Sequence, residues 1–308
     1  MKVTLRTIAG LLSSAVLVSC SNVSDDPDIS QASIEFGTTV SRATVGSKDD
    51  LSSFSVWGGY DEKNNLFKKT TVYNNGTYEG GTRYWVPNKT FNFYAVHPVL
   101  DNANVEDNGN IIIENFDCSA TGANAVDLMI ATAQRTTNNP MIPKDVEAVP
   151  LTFNHELAKV NFTVKSENTV ATVSSFKVYG VNYKGTLTKD TKEEQTTTWD
   201  LVTTCNEGNT PFTYTQEFTL SKDNWEKDIF GDVLLIPDDD LTDANLKIIY
   251  KYPDETTSRT STVKLNTTIS GWEAGKSYKY TIAIKGGSLS VNVNVNPWDS
   301  KDTSVSWE

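Results

Sequence analysis

Leu289-Ser-Val-Asn-Val-Asn-Val295 carries an apolar residue at every second position, with serine or asparagine between. Residues two apart share one face of a strand, so Leu289, Val291, Val293 and Val295 line one side and Ser290, Asn292 and Asn294 the other. A strict period of two does not fit a helix, and β-branched residues suit a pleated, half-buried surface. The same signature recurs upstream. Ile34, Phe36, Thr38 and Val40 alternate in this way, as do Phe91, Phe93 and Ala95, then Val160, Phe162 and Val164, then Leu246, Ile248 and Tyr250. Asn75-Gly76, Gly80-Gly81 and Gly286-Gly287 punctuate these runs as turn dipeptides. The spacing of strands and turns predicts an all-β protein made of β-sandwiches. Helix is expected only in two short pieces, Asn124 to Ala133 and Asp239 to Asn245.

The chain's 308 residues exceed what one sandwich core usually organises, which predicts two domains. Thr136 to Pro150 contains Pro140, Pro143 and Pro150 and no periodic apolar face. The boundary is therefore expected there, with one domain over residues 33–147 and a second over 148–308. The first nineteen residues read as a signal peptide. Lys2 and Arg6 precede the apolar run Ile8 to Val18, which is too short to cross a bilayer comfortably. Leu17-Val18-Ser19-Cys20 resembles a bacterial lipobox, in which the peptide is cut before a cysteine that then carries lipid. An ordinary secretory peptide that happens to contain Cys20 is the plainer alternative. Residues 20–32 are polar and acidic, a tether rather than a folding unit.

The full chain has 39 acidic and 27 basic residues, a formal charge of -12 that becomes -14 once Lys2 and Arg6 are removed. That balance argues against nucleic acid as a partner, because such affinity comes largely from neutralising phosphates. Beyond Cys20, only Cys118 and Cys205 remain, far apart and without metal-ligand spacing, so buried free thiols are favoured over a disulfide. His97 and His155 each sit in a strand-like setting where a packed, hydrogen-bonded imidazole is the ordinary explanation. No glycine-rich phosphate loop or GxSxG elbow is present. Asp238-Asp239-Asp240 with Asp243 lacks an EF-hand's spacing and glycine, and reads as a solvated loop. Trp57, Tyr60, Tyr84 and Trp85 offer material for a sugar-stacking platform, although aromatics in sandwich cores are commoner. No catalytic residue, metal site or cofactor is expected.

An ordered series of segments then resembles the fimbrillin superfamily of the Bacteroidales. The matching pieces are Phe54-Ser-Val-Trp57, Tyr84-Trp85, Phe91-Asn-Phe-Tyr-Ala95 with His97-Pro98, and Asp127-Leu-Met-Ile-Ala131. Leu151-Thr-Phe-Asn-His155 leading into Ala158-Lys-Val160, Leu234-Leu-Ile-Pro237, Trp272-Glu-Ala-Gly-Lys-Ser-Tyr278, and Val291 to Trp298 complete the series. The resemblance implies two tandem transthyretin-like β-sandwiches exported as a lipoprotein to the outer membrane surface. It also implies trimming by an arginine-specific protease and assembly into fimbriae by strand exchange, in the service of adhesion.

Applied to this chain, the implied cut falls between Arg42 and Ala43, just past the strand carrying Ile34, Phe36 and Val40. Lipid anchor, tether and strand would leave together, exposing a groove that recruits a strand from another subunit. The candidate donor is the alternating run of Leu289, Val291, Val293 and Val295. Only ten residues follow Trp298, so a strand given to a neighbour leaves little to complete its own domain. Two roles stay open within a fimbrium, a repeating shaft subunit and a tip or accessory subunit. A monomeric surface lipoprotein that binds a glycan or host protein is the alternative class.

Overall fold

The structure, a computed structural model, describes residues 32–40, 51–61, 64–192 and 196–298. Cys20, Arg42 and Ala43 lie outside them. The described residues are almost entirely β-structure, as the alternating segments predict, and their strands form four sheets.

The first sheet has six strands in the order β1 (Phe36–Val40), β8 (Val149–His155), β7 (Met129–Thr136), β4 (Thr90–His97), β2 (Ser53–Tyr60) and β3 (Phe67–Tyr73). Every pairing in it is antiparallel except β1 with β8. The second sheet runs β12 (Thr197–Thr204), β11 (Asn182–Lys189), β6 (Ile111–Asp117) and β5 (Ala103–Val105). In the third, β9 (Ala158–Ser166) takes β15 (Glu226–Asp228) and β16 (Val233–Leu235) on one side. On its other side are β19 (Lys276–Lys285) and then β20 (Ser288–Pro297). The fourth joins β13 (Thr213–Tyr214) and β14 (Phe218–Leu220) to β10 (Ala171–Tyr179), followed by β17 (Asn245–Lys251) and β18 (Arg259–Lys264).

Three apolar clusters hold these layers together. The third and fourth sheets bury Phe162, Phe176, Ile248, Trp272 and Tyr280 between them. Their polar tips are satisfied: the Trp272 indole donates to the Tyr280 hydroxyl at 3.1 Å, which donates to the Leu265 carbonyl at 3.1 Å. The inner face of the six-stranded sheet collects Phe54, Phe67, Trp85, Phe91, Phe93 and Phe153. Its outer face packs Trp57, Val96 and Ile130 against Ile111, Ile113 and Leu187 of the second sheet, with Leu234, Ile236 and Trp298 joining from late in the chain.

Neither expected helix forms. Asn124 closes a three-residue 3-10 turn, Gly122–Asn124, and β7 begins at Met129. Leu128-Met-Ile-Ala131 lacks alternation because both faces are buried. Met129 and Ala131 enter the inner cluster, Leu128 and Ile130 the outer one, and periodicity cannot separate such a run from a helix. At Asp239 to Asn245 the Asp240 carboxylate instead accepts a hydrogen bond from the Thr242 amide at 2.9 Å, a local bond that competes with helix formation.

Around the expected boundary, Asp145 is buried, and its carboxylate accepts from the Asn138 amide at 2.9 Å and the Ile142 amide at 3.0 Å. Beyond it β8 is hydrogen-bonded to β1 and β7. The strand β8, which follows this stretch, thus continues the six-stranded sheet, and β9 opens the third sheet at Ala158. The second sheet draws strands from both sides of this change, because β6 pairs with β11.

Candidate strand-exchange site

The first strand lies at the edge of the six-stranded sheet, with Phe36 to Val40 in register with Val149 to Phe153. The Val149 amide donates to the Glu35 carbonyl at 2.7 Å. Just upstream, the Ile34 amide donates to the Arg83 carbonyl at 2.8 Å, and the Trp85 amide to the Ala32 carbonyl at 3.1 Å. The expected alternation is present: Ile34 is fully buried, Phe36, Thr38 and Val40 are half-buried, and Glu35, Gly37 and Thr39 are exposed. Phe36 meets Phe67 at 5.3 Å, Phe93 at 5.5 Å, Tyr78 at 6.4 Å and Phe54 at 6.5 Å, all edge-on. The strand is thus an insert, held by its ladder to β8, by the main-chain bonds of Ala32 and Ile34 to Trp85 and Arg83, and by a row of side chains pushed into an aromatic groove. Burying Ile34 and parts of Phe36 and Val40 contributes roughly 4–7 kcal/mol before ordering costs.

The candidate donor strand occupies the edge of the third sheet. Its ten residues pair antiparallel with β19, from Lys276 opposite Pro297 to Lys285 opposite Ser288. Gly287, at φ +94°, makes the left-handed turn that folds the hairpin. Leu289, Val291 and Val293 are half-buried against the large cluster, whereas Val295 is 42% exposed. This strand completes its own sheet, and among the described residues no strand pairs with its other edge.

The ends of both strands meet at one cavity of about 270 Å³, lined by Val40, His97, Asp127, Met129, His155 and Trp298 among others. His155 stacks on Trp298 with ring centroids 4.0 Å apart and planes 8° from parallel. Its Nδ1 lies 2.9 Å from an Asp127 carboxylate oxygen. His97 Nδ1 lies 2.8 Å from the Ser53 carbonyl. Burial lowers the His97 pKa, opposed by the bond to Ser53 and the charge of Asp127. Both histidines are packed and bonded, as sequence reasoning expects. That they share a cavity with the last described residue is legible only in three dimensions.

The other expected residues are quickly placed. Trp57 and Trp85 are buried in different clusters on opposite faces of the first sheet, so with Tyr60 and Tyr84 they build no common platform. Cys118 and Cys205 are buried free thiols, also in different clusters. Asp238 accepts from the Asn182 side-chain amide of β11 at 2.8 Å and, within its own loop, from the Asp240 amide at 3.0 Å. Among the described residues no group of three or more His, Cys, Asp or Glu side chains is placed to hold a metal ion. No described helix is long and apolar enough to cross a membrane.

A family model described as fimbrillin-like matches residues 38–298. Among solved structures, a putative cell adhesion protein of Bacteroides uniformis superposes with a TM-score of 0.54 at 19% identity, covering 88% of this chain and 99% of that one. A putative cell adhesion protein of Bacteroides ovatus gives 0.54 at 15% identity over 88% and 99% of the two chains. A fimbrial protein of Bacteroides vulgatus gives 0.53 at 16% identity over 86% and 99%. At these identities the likeness is one of fold. No curated protein matches the chain.

Proposed function

Because the chain belongs to the fimbrillin-like family, we propose that it is a fimbrial subunit, lipidated at Cys20, exported to the outer membrane surface and serving adhesion. Maturation cuts after Arg42 and releases anchor, tether and β1 as one piece. The groove left beside β8 then accepts a strand from a neighbouring subunit, and in a filament of like copies that strand is the counterpart of β20. A one-residue slip would turn the entering apolar face outward, so the register is strongly fixed.

The observation that carries this reading is the seating of β1. It lies at the sheet edge, bonded to β8 and, through Ala32 and Ile34, to Trp85 and Arg83, and it is loaded on one side with the apolar residues that an incoming strand would have to supply. One cut turns it from a covalently held element into a ligand. By contrast, donation of β20 requires ten residue pairs with β19 to part, so accepting a strand is the easier half of the exchange. The three described arginines also support a single cut. Arg83 donates to the carbonyls of Leu66, Glu79 and Gly81, Arg135 to those of Glu147 and Ala148, and Arg259 pairs with Glu255.

The test treats the mature chain with a low dose of an arginine-specific protease, then sequences the new N-termini and sizes the products. The expected result is an N-terminus at Ala43 and a shift to oligomers, both absent in Arg42→Ala. Resistance at Arg42 while other sites are cut, or trimmed protein that stays monomeric with every partner subunit, refutes strand exchange. The monomeric binding lipoprotein would then take its place.

A further inference from the structure

The outer face of the six-stranded sheet changes chemistry along two of its central strands. Val96 of β4 stands opposite Ile130 of β7, Tyr94 opposite Thr132, and Asn92 opposite Gln134. The first pair is buried under the second sheet, the next is half-buried, and at the third Gln134 is exposed. Where the polar pairs begin, the second sheet has diverged from the first. A groove of about 480 Å³ opens there, walled by Asp107 and Asn108 of the loop after β5 and by Thr191 and Lys192 just past β11. Its size falls within the range of about 300–1,000 Å³ usual for small-molecule sites.

The walls are fixed by contacts of their own. Gly109 has φ +91°, and a Cβ on it would stand 2.6 Å from the Tyr94 hydroxyl, so the loop rests directly on that ring and only glycine permits the approach. The Thr191 hydroxyl donates to the Gly109 carbonyl at 2.9 Å, joining the two walls. The Asn108 side-chain oxygen Oδ1 accepts from the Asn110 amide at 2.8 Å.

The floor is a cross-strand amide pair. Gln134 Nε2 donates to Asn92 Oδ1 at 2.8 Å, and among the described residues neither side chain makes another hydrogen bond. Donor and acceptor capacity therefore remains side by side on two planar groups whose mutual bond orients both. This is the complement of a neighbouring pair of hydroxyls, each of which both gives and takes a hydrogen bond. Asp107 and Lys192 contribute one charge of each sign to the lining, so the groove favours neither anions nor cations. A peptide adding itself as a strand has no edge to use, because β4 and β7 are each paired on both sides. Recognition must then run through side chains.

We propose that this groove binds a neutral oligosaccharide, with Asn92 and Gln134 bonding its hydroxyls from the floor and the Tyr94 ring closing the inner end. The site lies apart from β1 and β20, and it requires neither cleavage nor strand exchange. Failure of either reading therefore leaves the other standing.

The test is calorimetric titration of the full chain with cellobiose, maltose, mannobiose, lactose and N-acetyllactosamine, and with sialyllactose as the anionic comparison. At least one neutral disaccharide should bind. Asn92→Ala and Gln134→Ala should each weaken it about fivefold, as expected for the loss of one ordinary hydrogen bond. Asn92→Ala combined with Gln134→Ala should abolish detectable binding, with circular dichroism of the double variant confirming that the fold is kept. Lys279→Gln, at an exposed cation of β19 outside the groove, should leave the affinity within about twofold. Absence of binding by every neutral sugar, binding that survives all three floor variants, or a preference for sialyllactose that Lys192→Gln removes would each overturn the proposal.

Discussion

Replacing Phe36 by alanine tests whether β1 is held by its inward face. The ring touches four aromatic neighbours with centroids between 5.3 and 6.5 Å away, yet it is only half-buried. A fully buried Phe→Ala substitution costs about 3–5 kcal/mol; discounting for exposure leaves about 2–3 kcal/mol. Since β1 is an edge strand whose one neighbour in the sheet is β8, the loss should appear as local opening rather than global unfolding. The reporter is amide hydrogen exchange at Val149, whose N–H donates to the Glu35 carbonyl. Its exchange should accelerate roughly 30- to 140-fold, the population change that corresponds to this free energy. Amides of β4 and β7 should keep their protection. Thr39→Ala is the internal comparison: Thr39 is exposed and only shares a 3.1 Å hydroxyl contact with Thr152, so its effect should stay below about 0.5 kcal/mol. Equal acceleration in both variants would show that the backbone ladder, not the aromatic groove, retains the strand. Acceleration spread evenly through β4 and β7 would show that β1 cannot open alone, and the release step would fail with it.

Trp298→Ala removes the partner stacked on His155 and a side chain only 7% exposed, and should cost about 3 kcal/mol in denaturant unfolding; an unchanged midpoint would dismiss it as an anchor. His97 has a folded pKa below its ordinary 6.5, chiefly through burial, so the unfolded chain binds the proton first as pH falls. Stability should accordingly be fully present above pH 6.5 and decline as pH drops from there through the folded pKa, and His97→Gln should flatten that part of the profile; an identical slope in the variant would exclude His97 as its source. Burial pushes the Cys118 thiol far up, with the charge of Asp117 adding to it, so a thiol-specific alkylating reagent should modify neither Cys118 nor Cys205 until the protein is denatured; rapid labelling of the native state would contradict their burial.

Strands with one dry face and one wet face announced themselves in the sequence. Ile34 to Val40 shows the alternation directly and buries the expected face, whereas in Leu289 to Val295 the inward face holds through Val293 and Val295 is exposed. Leu128 to Ala131 carries no such signal, because burial on both faces erases the period, and a helix was the natural misreading. Partner choice was equally hidden. Nothing in the composition of Ile111 to Asp117 says that it pairs with Asn182 to Lys189, since the ladder is made of main-chain groups common to all residues. The cavity at the strand ends was hidden for a related reason: His97, Asp127, His155 and Trp298 come from four separate places in the chain. In the oligosaccharide groove, the pairing of Asn92 with Gln134 depends on a register that no local pattern fixes.

The ladder between β6 and β11 has a mechanical consequence. A pull on the six-stranded sheet against the third and fourth sheets is not resisted by the covalent crossing from β8 to β9 alone. Tension also enters an antiparallel pair, Lys184 opposite Asp117 through Lys189 opposite Ile111, and Lys184 adds an ion pair to Asp117 at 3.5 Å. Stretching the crossing therefore cannot part the two halves until this second connection yields. How it yields depends on direction: traction along the strands breaks its hydrogen bonds together in shear, whereas traction across them opens the bonds one by one. A subunit joined in this way would be stiff along one axis and compliant along another, and its place in a filament would decide which of the two the cell feels.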